Sequence, residues 1–224
     1  MLPSNVNFLT GRLLTWPEHK VTRADLLRCE RLTFVRMLGS SQWEQLCYES
    51  SVPLHGEDEG QIKGPYEYTV VSRRSGGRLL ILSEHAGIIE HLLSEEFKKA
   101  FIPHLRPISI AIDPLVKSLT KNPSIYALSY AYARVPGGLS NLKSLAFYGE
   151  DLAIAALFCD LLDALIFINC GLRLAAKGKE IVRLSTDGGV SFFPTNRQRL
   201  DDVEKVLGFI RAQGYLSDSG DVVP

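Results

Sequence analysis

Residues 180–193 read Glu180-Ile181-Val182-Arg183-Leu184-Ser185-Thr186-Asp187-Gly188-Gly189-Val190-Ser191-Phe192-Phe193. Two runs rich in β-branched and aromatic residues flank a turn of Thr, Asp and two glycines, which predicts a β-hairpin. Thr195 or Asn196 then opens a helical pattern whose apolar face includes Val203, Val206, Leu207 and Ile210.

The same order appears upstream. Residues 124–135 alternate as a strand, Pro136-Gly137-Gly138 breaks them, and residues 142–148 resume before Gly149-Glu150-Asp151 opens an apolar helix from Leu152 to about Asp163. Earlier still, residues 66–73 and 78–83 flank Ser75-Gly76-Gly77, and a helix is expected from about Glu84 to Phe101. Residue-by-residue similarity between these stretches is poor, so the repeat is one of architecture. Residues 107–113 and 166–174 add two expected strands. The fold class this predicts is α+β, a mostly antiparallel sheet built from three β-hairpin-plus-helix units.

Residues 22 to about 50 read differently. Thr22 is placed to cap a helix that stops at Gly39, and Ser41 with Glu44 forms a capping-box pattern before Trp43, Leu46 and Cys47. An N-terminal helical hairpin over residues 1–54 is the expectation. An acidic, Gly-rich linker or loop follows at 55–65, and an α+β domain at 66–224.

Composition narrows the classes. The 224 residues are 46% hydrophobic and 22% charged, which suits a globular core. Lys plus Arg and Asp plus Glu stand at 25 each. That balance lacks the basic excess usual for nucleic-acid binders and weakens the protection against self-association. Cys29, Cys47, Cys159 and Cys170 form no C-x-x-C pair, and the first three sit among apolar neighbours expected to be helical. Reduced, buried thiols and a cytoplasmic address follow. The N-terminus lacks the order of a signal peptide, and the apolar run 152–168 is short for a span and holds Asp160 and Asp163, so no membrane is expected.

No reactive constellation emerges. Gly171 to Lys179 lacks the Gly-Lys-Ser/Thr ending of a phosphate loop, and no G-x-S-x-G occurs. Cys170 beside Gly171 is weak evidence for a nucleophile. His85 and His91 are six residues apart on an expected helix and face apart. No catalytic, cofactor or metal residues are therefore assigned.

The candidate interaction residues are of three kinds. Arg28 and Arg31 on the first expected helix, with Arg73, Arg74 and Arg78 around the first hairpin turn, are cations that would meet phosphate or an acidic protein. Tyr126, Tyr130 and Tyr132 share one strand face by the period of two, and serve as a stacking surface or pack beneath a helix. Asp160 and Asp163 lie three apart in an apolar helix, where they keep it soluble, pair with an arginine, or meet a partner. The expected function is a non-catalytic protein-interaction module, a subunit or adaptor of a larger complex. Its partner would be another protein or a second copy. A nucleic-acid-associated protein and a small enzyme using Asp160 and Asp163 are the alternatives.

Overall fold

A computed structural model describes residues 9–15, 24, 32–38, 43–49, 65–72, 78–83, 106–122, 124–137, 142–174, 180–192 and 199–217. The chain divides into two compact units, Met1–Ile108 and Ser109–Pro224.

In the first unit nearly all the described residues are in strands, and Ala24 is helical. The strands are β1 (Leu9–Thr15), β2 (Leu32–Leu38), β3 (Trp43–Glu49), β4 (Pro65–Ser72), β5 (Arg78–Ser83) and β6 (Arg106–Pro107). They run antiparallel in the order β2-β3-β4-β5-β1, with β6 against the other side of β1. Residues 32–38 and 43–49, expected in the helical hairpin, are strands, which corrects it there; Ala24, at the start of its first expected helix, is helical, and the rest of that hairpin lies outside the described residues. Leu32, Phe34, Trp43, Leu46 and Tyr48 suit a pleated surface as well as a helix face. What decides between them is distant: β3 pairs with β4 from Trp43↔Val71 to Glu49↔Pro65, which gives its amides partners that no local pattern announces. The hairpin strands β4 and β5 occupy the expected positions. Their connecting turn, the acidic linker over 55–64 and the expected helix at 84–101 lie outside the described residues.

The second unit carries β7 (Ser109–Ile110), helix α1 (Ile112–Lys121), β8 (Tyr126–Arg134) and β9 (Ser144–Tyr148). A 3-10 turn at Leu152–Ile154 follows, then α2 (Ala156–Leu161), β10 (Ile166–Leu174), β11 (Glu180–Ser185), β12 (Gly189–Phe192), α3 (Arg199–Ala212) and β13 (Leu216–Ser217). The sheet order is β9-β8-β10-β11-β12, every neighbouring pair antiparallel. The coarse expectation of an α+β fold with a mostly antiparallel sheet therefore holds, and the expected strand at 166–174 is β10.

Two local expectations change. Residues 107–113 give the end of β6 at Pro107 and the short β7, which pairs with β13 through Leu216↔Ile110; α1 begins at Ile112. Ile112, Leu115, Val116 and Leu119 keep the i, i+3, i+4, i+7 spacing of a buried helix face, and all are buried. The apolar helix expected from Leu152 is broken in two. Asp151 accepts a hydrogen bond from Ala153 N at 3.0 Å to start the 3-10 turn, and Ala155 is extended between the turn and α2.

All three helices cover one face of the sheet. Phe158 of α2 packs 5.1 Å from Phe147 and 5.5 Å from Phe167, ring centre to ring centre. Phe209 of α3 meets Tyr126 at 5.0 Å. Asp113, in the first turn of α1, accepts a hydrogen bond from Phe167 N at 3.0 Å and an ion-paired one from Lys117 at 2.9 Å. One carboxylate thereby ties the start of α1 to the start of β10, 54 residues away. The C-terminus of α3 closes with Tyr215 N to Ile210 O and Gly214 N to Arg211 O, and Gly214 at φ +77° supplies the left-handed residue this ending needs.

The β11–β12 turn uses its two glycines for different reasons. Gly188 N bonds Ser185 O at 3.1 Å and Gly188 has φ +79°, a turn followed by a left-handed residue. Gly189 has no such backbone, but a Cβ there would collide with the Ser185 hydroxyl. At Gly137, after β8, a Cβ would meet nothing within 4 Å. Gly188→Ala is expected to cost about 1–2 kcal/mol in chemical denaturation, against a change near zero for Gly137→Ala.

Candidate functional site

The register of β8, β10 and β11 decides which side chains share a face. Between Tyr130↔Gly171 and Leu128↔Leu172, β8 advances two residues while β10 advances one, so Ser129 forms a bulge. Side chains on the two sides of Ser129 therefore follow opposite parity. Tyr126 and Leu128 turn toward the helices, where both are buried, whereas Tyr130 and Tyr132 lie on the opposite face and are only part-buried. The period-of-two reading that grouped Tyr126 with Tyr130 and Tyr132 fails at this bulge. A bulge has no strong signature in one sequence.

The face away from the helices carries a cross-strand row. Tyr148 pairs with Tyr130, Tyr130 with Gly171, Gly171 with Arg183, and Arg183 with Ser191. The Tyr148 and Tyr130 rings lie 5.0 Å apart. Arg183 sits one strand beyond Gly171, yet its guanidinium carbon is 4.6 Å from the centre of the Tyr130 ring. Gly171 permits this reach, since any side chain there would stand between them. The result is a tyrosine pair with a cation on one ring. Tyr132 and Asn169 form the next row, and the exposed Arg134 lies beyond.

Arg173 lies on this same face, two residues along β10 from Gly171. It is 9% exposed, and its Nε has no hydrogen-bond partner. Its register neighbours are Ala127 and Glu180. A buried guanidinium with an unmet donor is costly, which separates Arg173 from the exposed Arg134.

The other sequence candidates scatter. Arg28, Arg31, Arg73 and Arg74 lie outside the described residues. Arg78 opens β5, opposite Thr15. Asp160 and Asp163 are exposed near the α2 end, and Asp163 stands 3.8 Å from Lys121 in a solvated pair. Cys170, by contrast, is buried on the helix-covered face. Cys159, expected to be buried, is exposed, with its Sγ 3.3 Å from Ala153 O; the break at Ala155 leaves only Phe158 of α2 turned fully inward. Among the described residues no group of His, Cys, Asp and Glu is placed to hold a metal, and no helix is long and apolar enough to cross a membrane.

Tyr126 titrates unlike an ordinary tyrosine. Burial raises its pKa above 10.0, and the nearby Asp202 carboxylate raises it further. A raised value means the folded state holds the phenolic proton more tightly than the unfolded chain. Stability is therefore whole below the unfolded value and is lost as pH rises above it toward the folded value. Tyr126→Phe should flatten the loss of stability above about pH 10 in denaturation curves measured across the alkaline range. No protein-family model matches this chain, and no curated protein matches it at a level that would show a relationship.

Proposed function

We propose that this chain is a non-catalytic protein-interaction module, a subunit or adaptor of a larger cytoplasmic complex, which docks through the β9 edge of its second unit. The observation that carries this reading is the apolar surface that follows β9. Ile154 is 83% exposed and Leu157 69%, in a segment where a solvated helix would present polar groups. Single exposed apolar residues are ordinary; a run of them beside an end strand favours an interface. Helix α2 spans only Ala156–Leu161 and buries Phe158 alone, so its remaining apolar surface lacks cover from the described residues.

Strand β9 ends the described sheet order on its side, and its outer amides and carbonyls suit strand addition. The segment is also self-complementary in charge. Lys143 precedes β9, and Glu150 and Asp151 follow it. Antiparallel pairing of two copies about Ala146 sets the lysine of each near the acidic end of the other. Zero formal net charge opposes such pairing little. The first partner to test is thus a second copy. The layout of three hairpin-plus-helix units belongs to the same proposal, as the scaffold that holds this edge.

Light scattering on the full chain, over a rising concentration series, checks this reading. The expected result is a mass that climbs toward twice the monomer, and a return to the monomer mass in Ile154→Glu/Leu157→Glu. A monomer at every concentration, with no change in the variant, would sink self-association through this edge.

A further inference from the structure

We propose that the sheet face opposite the helices binds single-stranded nucleic acid, with a base stacked on Tyr148 and the adjoining phosphate drawn to Arg183 and Arg173. This inference rests on the sheet face opposite the helices and, apart from Tyr148 on β9, on side chains away from the edge that the proposed docking uses.

The chemistry follows from the row already described. Tyr148 is 68% exposed and touches Tyr130, so the pair offers an aromatic surface that continues the sheet. A planar base stacks on such a surface whatever its sequence. Arg183 lies over the same Tyr130 ring, which places a cation at the edge of the stacking surface, where the backbone of a stacked nucleotide would run. Arg134 extends the positive charge along β8.

Arg173 is the second, separate observation. It is more than nine-tenths buried, and its Nε is unpartnered. Successive same-face residues of a strand stand roughly 6.6 Å apart, so Arg173 follows Gly171 on this face of β10 at that spacing. The unmet donor and the stacking surface thus share the face that Gly171 carries, one register step apart on β10. An acidic peptide would satisfy the arginines but leave the tyrosine pair unused; a nucleotide uses both.

The test is fluorescence anisotropy of the full chain with a labelled, mixed-sequence single strand at about 50 mM salt, where phosphate contacts count most. Binding is expected. Tyr148→Ala should weaken it about tenfold. Arg183→Gln should lower the slope of log affinity against log salt by about 0.7, the share of one phosphate. Lys205→Gln, on α3 across the sheet, should change neither. A matched duplex should bind less well, because its bases are already stacked. Competition by a mononucleotide at similar concentration would place one nucleotide unit in the site, and competition by strands alone would extend it over several units; both support the proposal. The proposal is overturned if no strand binds at low salt, or if Tyr148→Ala, which removes only an exposed side chain, leaves binding unchanged. Displacement by poly-glutamate as effective as that by polyuridylate would overturn it equally.

Discussion

Strand β10 is hydrogen-bonded on both sides, to β8 and to β11, and the parity of that pairing governs where the side chains of the second unit go. The parity is not uniform. Ile168 is an extra residue on β10, Ser129 on β8 and Ile181 on β11, each between paired rows. Each bulge leaves one residue unpaired and keeps the apolar side chains on the helix-covered face. Leu128, Leu172, Val182, Leu184 and Val190 fall there together and are all buried. Without the Ser129 bulge, Leu128 would turn away from Leu172 and Tyr126 would turn away from Phe209.

The helices then settle on that face for reasons the packing makes plain. Phe158 links Phe147 and Phe167, Phe209 meets Tyr126, and Asp113 joins the start of α1 to Phe167 N. The carboxylate bond is charge-assisted and part-buried, so it positions α1 more firmly than the solvated pair of Lys121 with Asp163. One face thus becomes core. The other keeps tyrosines, arginines and small residues, and the end of α2 keeps leucine and isoleucine in solvent. These two surfaces are what the unit offers to other molecules.

Much of the sheet was legible because turn chemistry is local. The Thr186-Asp187-Gly188-Gly189 turn, the hairpin around Gly137 and the apolar run that became β10 all follow from neighbouring residues. The candidate site was legible only in pieces. Tyr130 and Tyr132 drew notice as aromatic residues at a period of two, but Tyr148, Arg173 and Arg183 sit on other strands and carry no signal of their own. Helix α1 was also missed, although Ile112, Leu115, Val116 and Leu119 hold helical spacing; the short Pro107-to-Asp113 segment read as strand drew attention away from it.

By itself, the sequence determined the α+β class, the place of the Thr186-Asp187-Gly188-Gly189 turn and the strands beside each expected turn, because turn residues and side-chain alternation act over a few positions. Tertiary structure decided whether 32–38 and 43–49 would be strand or helix. It also decided which tyrosines are core and which arginine is buried with an unpartnered Nε. Those outcomes depend on register between strands far apart in the chain, where adding one residue exchanges the two faces of a sheet.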